Sequence, residues 1–514
     1  MKKNIIKTFS SVFIITLIAK VLGLLRDIVF ANFYGTGFEA TAYFTAIKIP
    51  TQIVDLVLSS AIVSTFVPVF NEIMQKDGKD KANLFAGNFI NVITLVATVI
   101  SIVGIVFAPQ IVNFLAGGFD IQTYNLTVEL IRITFPMIIF TAMAFSFVGF
   151  LQSYGEFNIP AMISGISNLV VIAFLLLFNN KTGIHGVAAC MLVAWLLQLL
   201  IQLPFAKRFG YKLNKKIDFK DDNLKKVFLL SIPILISTAV LPINNLVSTR
   251  LASGMDEGAV AALEYAYKLY VVISGVFTYA VGNIIFPELS RASSDEKSAE
   301  FKDIIIKALK LLTFILIPLT LGIIIYRQDI VSVMYERGEF SEICTLQTSG
   351  ALLYYAIGII GAGIVEVMNK SFYAKQDTKT PLKVGICIIV ANVILSIVLG
   401  NTRMTFNGLA LATSITALLN AGILTFIANK KEKGIINREL LTYILKIVFS
   451  AVGMATIVVF VNVILKDVIT GSLMLDILRM VIGASVGVIS YFVITTILKV
   501  NEFKNLVKEK MERR

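Results

Sequence analysis

About fourteen apolar segments, each long enough to cross a bilayer, fill this 514-residue chain, and several carry charged residues deep inside. A run of about twenty apolar residues spans the hydrocarbon layer. A charge within such a run is costly and belongs to a protected, wet interior. The pattern therefore predicts a polytopic membrane protein whose buried charges line a polar cavity. Every span is expected to be helical, because an open sheet edge leaves backbone groups unsatisfied in lipid and a barrel reads as short alternating strands.

The expected spans run about 9–34, 40–70, 84–114, 123–152, 159–179 and 183–206. After a basic loop come about 225–251, 258–290, 302–326, 345–373, 381–400 and 405–429, then about 440–465 and 473–498. Apolar residues make up 57% of the chain and charged residues 15%, which leaves no room for a sizeable domain outside the membrane.

The net charge of +13 could suggest a nucleic-acid partner, but its placement argues against one. About thirty Lys and Arg fall in one set of alternate loops, and only Lys181, Arg327, Arg337, Arg403, Lys466 and Arg479 in the other. Basic loops stay cytoplasmic. Both termini are thus expected inside, which needs an even number of spans. Lys2 and Lys3 before an apolar run imitate a signal peptide, but the run leads into Lys20, Gly23, Arg26 and Asp27 without a small-x-small cleavage site. It is read as the first span. Cys190, Cys344 and Cys387 form no metal or disulfide pattern, and the single histidine, His185, reads as structural.

An internal repeat underlies the pattern. Ala46-Ile47-Lys48-Ile49 recurs as Ala266-Tyr267-Lys268-Leu269, Phe66-Val67-Pro68 recurs near Phe286-Pro287, Tyr154 matches Tyr373, and Gly35 matches Gly254. The offsets are 219 or 220 throughout. Both halves start inside, so the repeat is parallel, a scaffold suited to rocking about a central site. The expected fold is all-α: two parallel six-helix repeats around a central cavity, plus two C-terminal helices. Its parts are an N-terminal lobe at 1–208, a C-terminal lobe at 225–430, a helix pair at 440–498 and a basic cytoplasmic tail at 499–514.

Opposite charges recur at helical spacing and so share helix faces. They are Lys20 with Asp27, Lys48 with Asp55, Glu129 with Arg132, Glu264 with Lys268, and Glu366 with Lys370. Lys48 and Lys268 hold matching places in the two halves. Together with Lys20 and Arg26 they are the expected cationic lining, suited to a phosphate or pyrophosphate. Asp27, Asp55 and Glu264 are their charge partners. Gly23, Pro233 and Pro242 interrupt spans one and seven and are gate or hinge candidates. Gly483 and Gly487 form a GxxxG expected to serve close helix packing. The chain has no GxxxxGK[ST] motif, so direct ATP drive is not expected.

Several of these stretches resemble a known family. Lys20-Val21-Leu22-Gly23-Leu24-Leu25-Arg26-Asp27, Ile49-Pro50 and Phe66-Val67-Pro68-Val69-Phe70 are similar to N-terminal signatures of the MurJ (MviN) lipid II flippases, of the multidrug/oligosaccharidyl-lipid/polysaccharide exporter superfamily. Ala266-Tyr267-Lys268-Leu269 with Phe286-Pro287-Glu288-Leu289-Ser290 resembles the family's span eight, and Phe372-Tyr373-Ala374 with Asp377-Thr378-Lys379-Thr380-Pro381 its span ten–eleven junction. The resemblance implies a flippase, not an enzyme. It would carry undecaprenyl-pyrophosphate-linked peptidoglycan precursor from the inner to the outer leaflet of a bacterial cytoplasmic membrane by alternating access. Its partners would be the lipid-linked substrate, membrane lipids and, as candidates, cell-wall synthesis proteins. No cofactor or metal is expected; membrane potential is the expected drive, and the coupling ion stays open.

The chain departs from the family pattern at Thr41, where an acid is usual, at Val54 and Asp55, where arginines are usual, and at Ser59-Ser60, which replace Glu-Gly. Lys268 stands for an arginine and Val271 for its acidic partner; Asn245 and Ser248 stand where sodium-using members place an acid. Four rivals remain at this point. An exporter of another lipid-linked precursor fits the same cations, whereas a cation-coupled drug exporter would favour an acidic lining. A membrane glycosyltransferase would need a carboxylate near an external loop, and the stretch of about 327–345 with Asp329, Glu336, Glu339 and Glu342 is its only candidate. A scaffold for cell-wall enzymes would need no intramembrane charges.

Overall fold

The computed structural model describes residues 2–54, 60–212, 217–238, 240–293, 298–468 and 473–500. Among these the secondary structure is helical without strands, in eighteen helices. Seven are long and apolar enough to cross a membrane by themselves, nine if two bent pairs count as one span each. The full count of fourteen is not reached by that measure. One of the seven, Asn158–Arg208, has 51 residues and holds two expected spans.

The chain divides into two compact units, 1–261 with Gly338–Phe340, and 262–337 with 341–514. The first holds α1 (Lys2–Tyr34), α2 (Phe38–Val54), α3 (Ser60–Asp77), α4 (Lys79–Val106) and α5 (Ala108–Ala116). It continues with α6 (Ile121–Thr134), α7 (Met137–Ser153), α8 (Asn158–Arg208), α9 (Asp222–Thr238), α10 (Val240–Ala252) and the start of α11 (Ala259–Arg291). The second holds the rest of α11, α12 (Ser298–Tyr335), α13 (Glu342–Ile357), α14 (Ile359–Ala374), α15 (Lys379–Gly400) and α16 (Phe406–Lys431). The pair α17 (Arg438–Val468) and α18 (Leu473–Ile497) completes it.

The repeat is visible in the backbone of each unit. Expected span 123–152 is two helices, α6 and α7, meeting at 41°, and expected span 345–373 is α13 and α14, meeting at 42°. Pro136 removes a backbone donor at the first break. At the second, a Cβ on Gly358 would stand 2.7 Å from Ser414 Oγ, so glycine lets α16 approach. Further on, Gly155 has φ 81 and Gln376, 221 positions later, has φ 58. Gly183 kinks α8 at φ 58, ψ −158, and Thr405, at φ 48, ψ −130, stands at the N-cap of α16. The acid after each left-handed residue caps the next helix: Glu156 Oε1 accepts from Asn158 N at 2.9 Å, and Asp377 Oδ1 from Thr380 N at 3.0 Å. In this turn the register is 221, so Tyr154 aligns with Lys375 and not with Tyr373.

Repeat halves and packed units are different divisions. Span seven opens the second half of the repeat, yet α9 packs on α3 within the first unit. Thr65 and Ser231 hydroxyls lie 3.0 Å apart, and Lys226 donates to Glu72 at 2.6 Å. The core of this unit is aromatic: the Phe66 ring lies 4.8 Å from Phe89 and 5.5 Å from Phe70, and all three side chains are buried. Without a hydrophobic drive in lipid, such packing and interhelical hydrogen bonds hold helices together.

In the second unit α17 and α18 close against α12. Tyr491 donates to the Phe314 carbonyl at 2.8 Å and Tyr443 to that of Lys310 at 3.3 Å, around buried Ile447, Ala451 and Val458. A Cβ on Gly483 would fall 1.6 Å from the Tyr326 hydroxyl, and one on Gly487 3.0 Å from Val458. The GxxxG is therefore a packing device. Helix α12 also runs past its expected end near 326 to Tyr335, because Val331 and Tyr335 continue its buried face.

Candidate functional site

In the first unit Arg26 is the most constrained of the expected cations. Its Nε and Nη2 donate to Asp27 Oδ1 at 3.2 and 2.9 Å, and its Nη1 donates to Asn168 Oδ1 of α8 at 3.1 Å. The Arg26 side chain keeps 24% of its surface exposed and Asp27 10%, so the pair is sheltered but reachable. Lys20, two turns earlier on α1, is exposed. Helix α1 runs unbroken through Gly23, whose missing Cβ makes room for Asn168 at 3.2 Å.

Lys48 stands eleventh in α2, and its ammonium donates to Thr249 Oγ1 of α10 at 2.8 Å. Its expected partner Asp55 lies outside the described residues, as do Ser59 and residue 239 between α9 and α10. Pro242 is buried in α10. Pro233 lies within α9. Thr41, where the family pattern carries an acid, is buried, and its hydroxyl has no hydrogen-bond partner among the described residues.

In the second unit Lys268 stands tenth in α11, the counterpart of Lys48 in α2. Its ammonium lies 5.9 Å from the centre of the Tyr265 ring, within cation–π range. Tyr265 is fully buried and packs on Tyr335 at 4.9 Å. Tyr267, Tyr270 and Tyr355 form a triangle with 5.7 Å between centres. Glu264 lies one turn before Lys268 on the same helix. The sequence reading did not single out these tyrosines, nor Asn168 and Thr249.

The other charges serve packing or the ends. Glu366 and Lys370 pair at 3.2 Å, in space left by Gly282, whose Cβ would stand 2.8 Å from Lys370 Nζ. His185 bonds Glu129 at 2.8 Å in an exposed contact. Asp329 lies in α12, not in a loop, and pairs with buried Arg479 of α18. The two form an interhelical ion pair. Asp377 in the resembling Asp-Thr-Lys-Thr-Pro stretch is a clip: Lys431 and the Thr380 hydroxyl both donate to its Oδ2. Burial pushes the Asp377 carboxyl up, but these donors outweigh it and hold it down at about 2. Likewise Glu432 accepts from Lys375 and from Ser298, and these bonds outweigh burial to lower its pKa. The described residues contain no group of three or more His, Cys, Asp or Glu that could hold a metal.

Comparison with known proteins adds to this geometry. A family model described as lipid II flippase MurJ matches residues 30–479. A probable lipid II flippase of Vibrio cholerae is 30% identical over 433 residues, covering 82% of each chain. One of Rickettsia prowazekii is 28% identical over 498 residues, covering 96% of this chain and 98% of its own. The solved structure of a lipid II flippase MurJ in an inward closed conformation matches with TM-score 0.82 at 27% identity, covering 96% of this chain and 99% of that one. An inward-facing multidrug transporter of the MATE family, in the MOP superfamily, matches at TM-score 0.68 with 13% identity, covering 81% and 95%, which shows a shared fold alone.

Proposed function

This chain belongs to the lipid II flippase MurJ family, and we propose that it carries lipid II from the inner to the outer leaflet with Arg26, Lys48 and Lys268 meeting the pyrophosphate. The observation that carries the transport reading is the family match over 30–479, on a helical frame matched nearly end to end by a solved member. The observation that supports the site is the retention of cations on α1, α2 and α11, while the neighbouring family charges at 41, 54 and 271 are lost.

The chemistry follows from the residues. Arg26 offers a planar fork of donors matched to phosphate oxygens, and lysine ammoniums act as point charges. Lys20 is exposed on α1 and adds to the positive field there. Asp27 pairs with Arg26, and Glu264 lies a turn from Lys268. These acids limit the cost of holding cations in the membrane before cargo arrives. An anionic cargo that binds one state of the carrier better than another shifts the carrier to that state. Gly23, Pro233 and Pro242 are the proposed flexible points in that cycle.

The protein is a transporter, so no covalent step is assigned to it. Its place is the cytoplasmic membrane of a bacterium, with both termini on the cytoplasmic side, as the basic loops favour. Membrane potential, negative inside, assists outward movement of negative charge by about 2.3 kcal/mol per charge per 100 mV. Depleting the protein in its host tests the cargo. Lipid II should accumulate on the inner leaflet; accumulation of a different lipid-linked precursor, with lipid II unchanged, would reassign it.

A further inference from the structure

Asn168 is uncharged and sits in an apolar stretch of α8, so nothing in the sequence marks it. In the fold it is buried, and both ends of its amide are used. Nδ2 donates to the Ala19 carbonyl of α1 at 3.2 Å, and Oδ1 accepts from Arg26 Nη1 at 3.1 Å. This fixes the amide's orientation. Turned over, it would set an NH2 against the guanidinium and an oxygen against the Ala19 carbonyl, two repulsive contacts in place of two hydrogen bonds. Gly23, between Ala19 and Arg26, makes the arrangement possible, since a Cβ there would press on Nδ2 at 3.2 Å.

Asn168 and Asp27 hold Arg26 in different ways. Asp27 opposes its charge, as an ion pair must. Asn168 directs the guanidinium through a neutral acceptor and leaves the charge in place. A long arginine stem loses rotamer freedom when it grips a ligand, and fixing it beforehand reduces that loss. A buried neutral acceptor suits a cation that must stay attractive to an anion. We propose that Asn168 is a positioning residue for Arg26, holding its guanidinium ready for the pyrophosphate of lipid II through the relay Ala19–Asn168–Arg26.

This inference rests on the reading of Arg26 as a pyrophosphate contact, and a double-mutant cycle separates the two. Lipid II affinity is measured on the purified full-length chain in nanodiscs, for wild type, Asn168→Leu, Arg26→Ala and the double variant. Asn168→Leu should weaken binding about tenfold, the size of one lost hydrogen bond to a charged group. In the Arg26→Ala background it should change affinity by less than twofold, because its effect passes through the missing guanidinium. A general packing defect would weaken both backgrounds alike. Gly23→Ala is the second variant should Asn168→Leu fold poorly: crowding the amide should weaken binding about threefold with Arg26 present and not without it. Losses that multiply, or no loss from either variant, overturn the positioning role while leaving Arg26's role intact. An Arg26→Ala chain that binds lipid II as well as wild type overturns the contact reading itself, and the inference falls with it.

Discussion

Lys48 donates to the Thr249 hydroxyl at 2.8 Å across 201 positions of sequence, and that hydroxyl donates on to the Asn245 carbonyl at 2.9 Å. In this state span seven thus supplies an acceptor for a cation of span two. Asn245 takes part through its backbone carbonyl alone. Lys48→Ala should lower outward lipid II movement at least tenfold with folded protein nearly unchanged. Lys48→Arg should keep most activity. Thr249→Val should cost about 1.5 kcal/mol of stability, by loss of a hydrogen bond to a charged group. Thermal unfolding in detergent alongside complementation of a flippase-depleted strain reads both effects. A Lys48→Ala chain that complements fully would remove Lys48 from the site.

At Lys268 the charge should matter more than the shape. Lys268→Arg should be tolerated, because it keeps the cation and still stacks on Tyr265. Lys268→Ala should weaken complementation sharply without loss of folded protein. Equal complementation by Lys268→Ala and wild type would instead leave Lys268 as part of the packing around the tyrosines.

The last helix is held by close approach. Gly483→Ala should destabilise the chain by about 1–3 kcal/mol, since its methyl would meet the Tyr326 hydroxyl. That hydroxyl has no hydrogen-bond partner among the described residues. Tyr326→Phe alone should therefore cost little, and combined with Gly483→Ala it should recover part of the lost stability. A double variant no more stable than Gly483→Ala alone would place the strain elsewhere.

Asp377 gives a pH signature outside the membrane. Its carboxyl is held at about 2, below the unfolded carboxylate value of about 3.9. A depressed pKa contributes stability that is fully present above the unfolded value and is lost as pH falls through the folded one. Solvent screens the exposed Lys431 ammonium, so the Asp377–Lys431 clip should contribute about 1 kcal/mol at pH 5, declining between about pH 4 and 2. Asp377→Asn should lose that part of the acid sensitivity. Melting curves at pH 5 and pH 3 that shift equally in both proteins would show that the clip is not responsible.

The helical class, the repeat and the charged spans were legible because hydropathy and charge spacing act locally. Lys48 and Lys268 were found by register alone; they stand eleventh in α2 and tenth in α11. What pairs distant segments was not legible. Asn168 and Thr249 are ordinary polar residues until α8 and α10 bring them to Arg26 and Lys48, 142 and 201 positions away. The breaks at Pro136 and Gly358 hide in continuous apolar runs, since a bent pair of helices is as hydrophobic as a straight span. Asp329 looked like a loop acid because the apolar run ends before it; buried Tyr335 and the distant Arg479 keep it in a helix.

The most direct test measures the share of lipid II exposed on the outer leaflet of cells in which this chain is the sole flippase. Wild type should restore outer-leaflet lipid II, Arg26→Ala and Lys48→Ala should lower it at least tenfold, and Lys268→Glu should fall below Lys268→Ala, because it adds repulsion of the pyrophosphate to the loss of attraction. Outer-leaflet lipid II at the wild-type level with Lys268→Glu would contradict the account.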